Sequence, residues 1–200
     1  MRLKFLAVLA GALFMTVPAF AGTVDFCSGQ TTGVDLGTTT LTAGGITATG
    51  YKSNGVANDL FCKNEGPNEV GLGLAGTSQD EIGKGNFIQL DVSNLVSTVL
   101  TIESVQSNEG FEILGSDSAG TLAGGVTLAS EAGGGTDTVT VNFGSACGGS
   151  ACQFLDITAT AGNVLLGTVS TPEPSTYLLL GTGLLMLGFI VRRKFASASC

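Results

Sequence analysis

Thr138-Val139-Thr140-Val141-Asn142-Phe143 decides the fold class. Val139, Val141 and Phe143 fall on one side of an extended chain, and Thr138, Thr140 and Asn142 fall on the other. That is a period of two, the signature of a half-buried β-strand. β-branched residues dominate the stretch, and they suit a pleated surface better than a helix. Glycines 133 to 135 stand just before it, and Gly144 follows Phe143.

Similar short runs recur outward from this point. Candidate strands are residues 46–51, 69–74, 87–92, 98–105, 111–114, 125–128, 154–159 and 164–169. Turn signals separate them: Ser53-Asn54-Gly55, Glu65-Gly66-Pro67-Asn68, Asn108-Glu109-Gly110 and Ala161-Gly162-Asn163. Residues 95–105 also admit a helical reading, but their Thr and Val content favours a strand. The chain has 31 glycines in 200 residues, about twice the usual share. Nine short strands at this spacing predict an all-β protein, an antiparallel β-sandwich of jelly-roll-like topology.

The two ends read differently. Met1-Arg2-Leu3-Lys4 is followed by an apolar run from Phe5 to Val17 and then by Pro18-Ala19-Phe20-Ala21. A basic start, an apolar centre and small residues at Ala19 and Ala21 predict a secretory signal peptide, residues 1–21, cleaved after Ala21. Its apolar run of about 13 residues is short for a membrane span. At the other end, Pro172-Glu173-Pro174 precedes an apolar run that starts at Tyr177 and ends at Val191. Arg192-Arg193-Lys194 follows it. As a helix that run measures about 22 Å, which snorkelling arginines extend toward the ~30 Å hydrocarbon core. A single C-terminal transmembrane helix is expected, contacting lipid from Tyr177 to Val191. The basic cluster would face the cytoplasm, with residues 195–200 as a short cytoplasmic tail. Residues 22–170 are left as one exported domain.

Removing the ends changes the charge balance. The middle holds three lysines, Lys52, Lys63 and Lys84, against fifteen acidic residues, a net charge of −12. Such a domain repels phosphate backbones, so no nucleic-acid partner is expected. The chain has no histidine, which removes the commonest general base and metal ligand. No Ser-His-Asp or Cys-His site can be built. A two-carboxylate glycosidase needs no histidine, but the chain has no Trp and only two Tyr, so sugar-stacking platforms are scarce. No catalytic residue and no required cofactor are expected, and the protein is read as a non-enzyme. Gly71-x-Gly73-x-x-Gly76 matches a dinucleotide-binding pattern, yet no helix is expected after it, so it carries no nucleotide argument.

Cys27, Cys62, Cys147 and Cys152 lie in the exported part, where oxidation is the rule. Three connectivities exist. Proximity in sequence favours Cys27–Cys62 and Cys147–Cys152, contributing roughly 4 and roughly 2 kcal/mol in the loop-entropy picture. The CxxxxC spacing and the lack of a nearby basic residue argue against a redox pair. Cys200, beyond the basic cluster, is expected to stay unpaired. Glu69, Asp80 and Glu81 are acidic loop residues and the candidate ligands for calcium, a hard cation that takes oxygen donors.

The ordered combination at the C-terminus resembles the PEP-CTERM sorting tail of bacterial exported proteins. The resemblance covers residues 171–194. It implies that Pro172, Glu173 and Pro174 are recognised by an exosortase, a membrane-embedded protease-like enzyme, and that Arg192, Arg193 and Lys194 act as the stop-transfer cluster. It further implies cleavage near Pro172-Glu173-Pro174 and delivery to the cell surface or an exopolysaccharide matrix. Residues 69–74 with Asp80-Glu81-Ile82 also look like the β-rich domains that precede such tails. The alternative reading is a surface-displayed carbohydrate- or calcium-binding sandwich.

Overall fold

The structure is a computed structural model and describes residues 22–171. Fourteen strands run through them: β1 Gly22–Val24, β2 Val34–Asp35, β3 Thr40–Ala43, β4 Ile46–Tyr51, β5 Leu60–Asn64, β6 Val70–Leu74 and β7 Ile82–Gly83, then β8 Phe87–Asp91, β9 Ser97–Val105, β10 Gly110–Ser116, β11 Val126–Ala132, β12 Gly135–Asn142, β13 Phe154–Ala161 and β14 Asn163–Thr171. The first sheet has the order β12-β9-β14-β6-β5-β2, with β1 and β7 added along β14. The second has the order β11-β10-β13-β8-β4-β3. The strand pairs are antiparallel. The expected all-β sandwich is what the chain forms.

Alternation builds the core. Leu72, Leu74, Leu100, Ile102, Leu166 and Val169 of the first sheet join Ile88, Leu90, Ile113, Leu155 and Ile157 of the second in one buried cluster. Each such side chain contributes about 1.5–3 kcal/mol when taken from water. The opening stretch behaves as its pattern requires: Val141 and Phe143 are buried and Thr138, Thr140 and Asn142 exposed. All nine candidate strands are present, and residues 97–105 are strand rather than helix. Both expected disulfides are formed, with Cα–Cα distances of 5.5 Å for Cys27–Cys62 and 5.1 Å for Cys147–Cys152.

The alternate positions face away from the core, yet several of them are buried too. Residues 75–81, between β6 and β7, cross the outer side of the first sheet. Residues 117–125, between β10 and β11, cross the outer side of the second. Each strap covers a polar cluster. The predicted signal peptide, the tripeptide at 172–174, the apolar run and the basic cluster lie outside the described residues. Among the described residues no helix is long and apolar enough to cross a membrane.

Candidate functional site

The first cluster centres on Lys63. On β5, Cys62 points into the core and Lys63 points outward, where water would normally meet it. Instead the strap covers it, and its side chain is only 4% exposed. Nζ lies 2.6 Å from Glu81 Oε1, and the Glu81 side chain is 0% exposed. Nζ also lies 3.2 Å from Glu65 and 3.6 Å from Glu69, whose side chains are 65% and 32% exposed. The Ser104 hydroxyl lies 3.1 and 3.2 Å from the two oxygens of Glu81 and donates to them.

The local sequence forces this arrangement. Gly73 of β6 has no side chain, so the strap can lie on it. A Cβ there would sit 2.1 Å from the Asp80 carbonyl oxygen and 3.0 Å from Glu81 Cα. Within the strap, Gln79 and Asp80 adopt left-handed backbone at φ +59° and +57°, conformations that L-residues rarely hold without compensation. The Asp80 carboxylate accepts from Gly76 N at 2.8 Å, and the Thr77 hydroxyl lies 2.6 Å from Leu74 O and 2.5 Å from Glu81 O. These contacts turn the strap back and send Glu81 inward. Ser104 is left-handed as well, at φ +61°. Three unusual residues thus converge on one ion pair.

Burial pushes the Glu81 carboxyl up, only partly offset by the Lys63 and Ser104 hydrogen bonds, and the nearby Glu109 charge adds to the rise. Burial pushes the Lys63 ammonium down, but bonds and charge from Glu81 and Glu65 more than offset it, and the net shift is upward. The physical cause is shared: one ammonium faces three carboxylates, so the cluster gains by holding a proton.

The three calcium candidates are therefore not gathered as a ligand set. Glu69 and Glu81 face the ammonium of Lys63, and Asp80 faces Gly76. Among the described residues no group of three or more His, Cys, Asp or Glu is arranged to hold a metal ion. Spacing in sequence placed the acids together without revealing that a lysine sits among them. Lys63 could have been singled out as one of three lysines in a strongly acidic domain; nothing in the sequence marks Ser104.

The second cluster lies under residues 117–125. Asp156 of β13 is fully buried and accepts from Gln89 Nε2 at 2.7 Å and Ser116 Oγ at 2.8 Å. Gln89 also donates to Ser118 O and accepts from Gly120 N, each at 3.1 Å. Burial pushes the Asp156 carboxyl up to about 6, against the pull of the Ser116 and Gln89 bonds. Shallow clefts of about 340 and 270 Å³ flank this strap. Tyr51 beside the larger one is stacked on Phe87 with ring centroids 5.0 Å apart.

These features define a disulfide-bonded, acidic β-sandwich with two internal polar clusters. Comparison with known proteins adds the tail. The model of the PEP-CTERM protein-sorting motif matches residues 170–194, and the chain is a PEP-CTERM-motif-containing protein. That motif implies export and processing by an exosortase, a membrane protein. The match leaves the sandwich itself unassigned. No curated protein matches the chain. A solved structure, the cleaved adhesin domain of Lys-gingipain, is similar over 77% of this chain and 90% of that one, at 12% identity and a TM-score of 0.34. A likeness this weak carries no argument.

Proposed function

We propose that this chain is a non-enzymatic surface or matrix protein that exosortase acts upon. It is exported by residues 1–21, held in the membrane by the run from Tyr177 to Val191, and cut near Pro172-Glu173-Pro174. The folded body then passes to the cell surface or an exopolysaccharide matrix. The observation that carries the reading is the sorting motif at residues 170–194, which begins where the last strand, β14, ends at Thr171. The recognition tripeptide follows that strand without a spacer. Two prolines one residue apart keep such a segment extended, as a protease cleft requires.

The intact mass of the unreduced protein, taken from its native surface, tests this. The expected product starts at Gly22, ends near Pro174 and lacks the four hydrogens lost in two disulfides. A mass that keeps residues 175–200 would withdraw the sorting step and leave a permanent anchor.

A further inference from the structure

We propose that Lys63 and Glu81 condense into an intramolecular amide, a cross-link that ties β5 to the strap over it. The reacting groups are already in contact, with Nζ 2.6 Å from Oε1. Both are held there by ordered backbone, the close-range condition that makes a slow bimolecular step unimolecular. The Glu81 side chain is fully buried and that of Lys63 nearly so, so bulk water, which hydrolyses amides and opposes their formation, is kept away.

The atoms balance without a cofactor. The Lys63 nitrogen attacks the Glu81 carboxyl carbon; one N–C bond forms and one C–O bond breaks. The Lys63 ammonium first gives one proton to Glu65 or Glu69; of the two that remain, one departs with the hydroxyl of the protonated Glu81 carboxyl as water, and the other stays on the amide nitrogen. Neighbouring groups fit each stage. Glu65 and Glu69 lie 3.2 and 3.6 Å from Nζ and are partly exposed, which gives the amine proton a path out. The Ser104 hydroxyl reaches both carboxyl oxygens and stabilises the negative charge that collects on one of them in the tetrahedral intermediate. Burial favours the protonated carboxyl of Glu81, the form from which water departs. The reactive arrangement, with the amine neutral, is a minor one, so closure follows folding slowly. The gain lies in charge: a neutral amide replaces two buried ions whose desolvation is costly.

Peptide mapping of the full-length protein from its producing cell tests this directly. Lysines 52, 63 and 84 are the tryptic sites of the domain. After denaturation, reduction and digestion, the expected product is one peptide, residues 53–84, uncut at Lys63 and lighter by one water. Its fragment ions should be missing between residues 63 and 81, because that segment is a ring. Separate peptides 53–63 and 64–84 at full mass, with no ring form, overturn the proposal. So does an uncut peptide at full mass, a water lost elsewhere with Lys63 still cleaved, or a ring that closes at Glu65 or Glu69.

Discussion

The two straps do the same job with different chemistry. Residues 75–81 cover the outer side of the first sheet over an ion pair, Lys63 and Glu81. Residues 117–125 cover the second over one carboxyl, Asp156, held by the neutral groups of Gln89 and Ser116. The first strap needs two left-handed non-glycine residues of its own and a third in β9. The second is tied through the amide of Gln89, which bonds the strap backbone at two points. A charged centre is costly to break from one side only, whereas a single buried acid responds to pH. The two clusters should therefore fail in different ways.

The largest effect is expected from Lys63→Met, which removes the ion pair together with any amide formed from it and leaves Glu81 buried without its cation. A loss of about 3–5 kcal/mol is expected, read as a lower urea midpoint. Adding Glu81→Leu to Lys63→Met should restore most of it, because the stranded charge goes too. A single variant as stable as the parent would break the distinction between the clusters.

Next comes the pH dependence of Asp156. Its carboxyl is raised from 3.8 to about 6 in the folded state, so folding binds its proton more tightly. The stability it supplies is full below 3.8 and is lost as the pH rises through about 6. The shift is worth about 3 kcal/mol. Urea unfolding at pH 4 and pH 7 should show most of that decline, and Asp156→Asn, neutral at both, should flatten it. An unchanged slope in the variant would remove Asp156 as its source.

The smallest effects come from one glycine beneath the first strap and one within the second. Gly73→Ala drives a Cβ into the Asp80 carbonyl oxygen and should cost about 2 kcal/mol as overpacking. Faster hydrogen exchange across residues 75–81 would mark the lifted strap. Gly120→Ala meets the Tyr51 ring at 3.2 Å with φ at +71° and should cost about 1 kcal/mol. If the order reverses, the second strap is the more tightly seated.

The sandwich was largely legible, because its longer strands alternate. β5 was not, although its neighbour β6 was. Lys63 and Asn64 stand just before the Glu65-Gly66-Pro67-Asn68 turn, and a covered outward face makes no period-two pattern. β1, β2, β3 and β7 are two to four residues long, too short for a pattern to register. The acids Glu69, Asp80 and Glu81 stand out in the sequence, but the lysine that Glu69 and Glu81 face does not. Lys63 and Glu81 are 18 positions apart and meet only because Gly73 lets the strap cross. Gly71-x-Gly73-x-x-Gly76 thus has a steric use that its nucleotide-like spacing hid: Gly73 yields room, and Gly76 turns at φ +67°. Asp156, flanked by Leu155 and Ile157 within a strand, is a signal that the sequence does carry.

β14 is the last strand in the chain, yet it lies inside the first sheet, between β9 and β6. Its far end is paired with the beginning of the domain, Gly22 with Thr171. A ribosome delivers those two residues at opposite ends of its run through the domain. Until β14 has arrived, β9 and β12 have no strand pairing that joins them to β5 and β6, and β1 has no strand to pair with. No nascent prefix that stops before Asn163 can close the first sheet. The domain completes its fold only as the sorting signal is being made, so the timing of synthesis places the finished body and its address in one sequence of events.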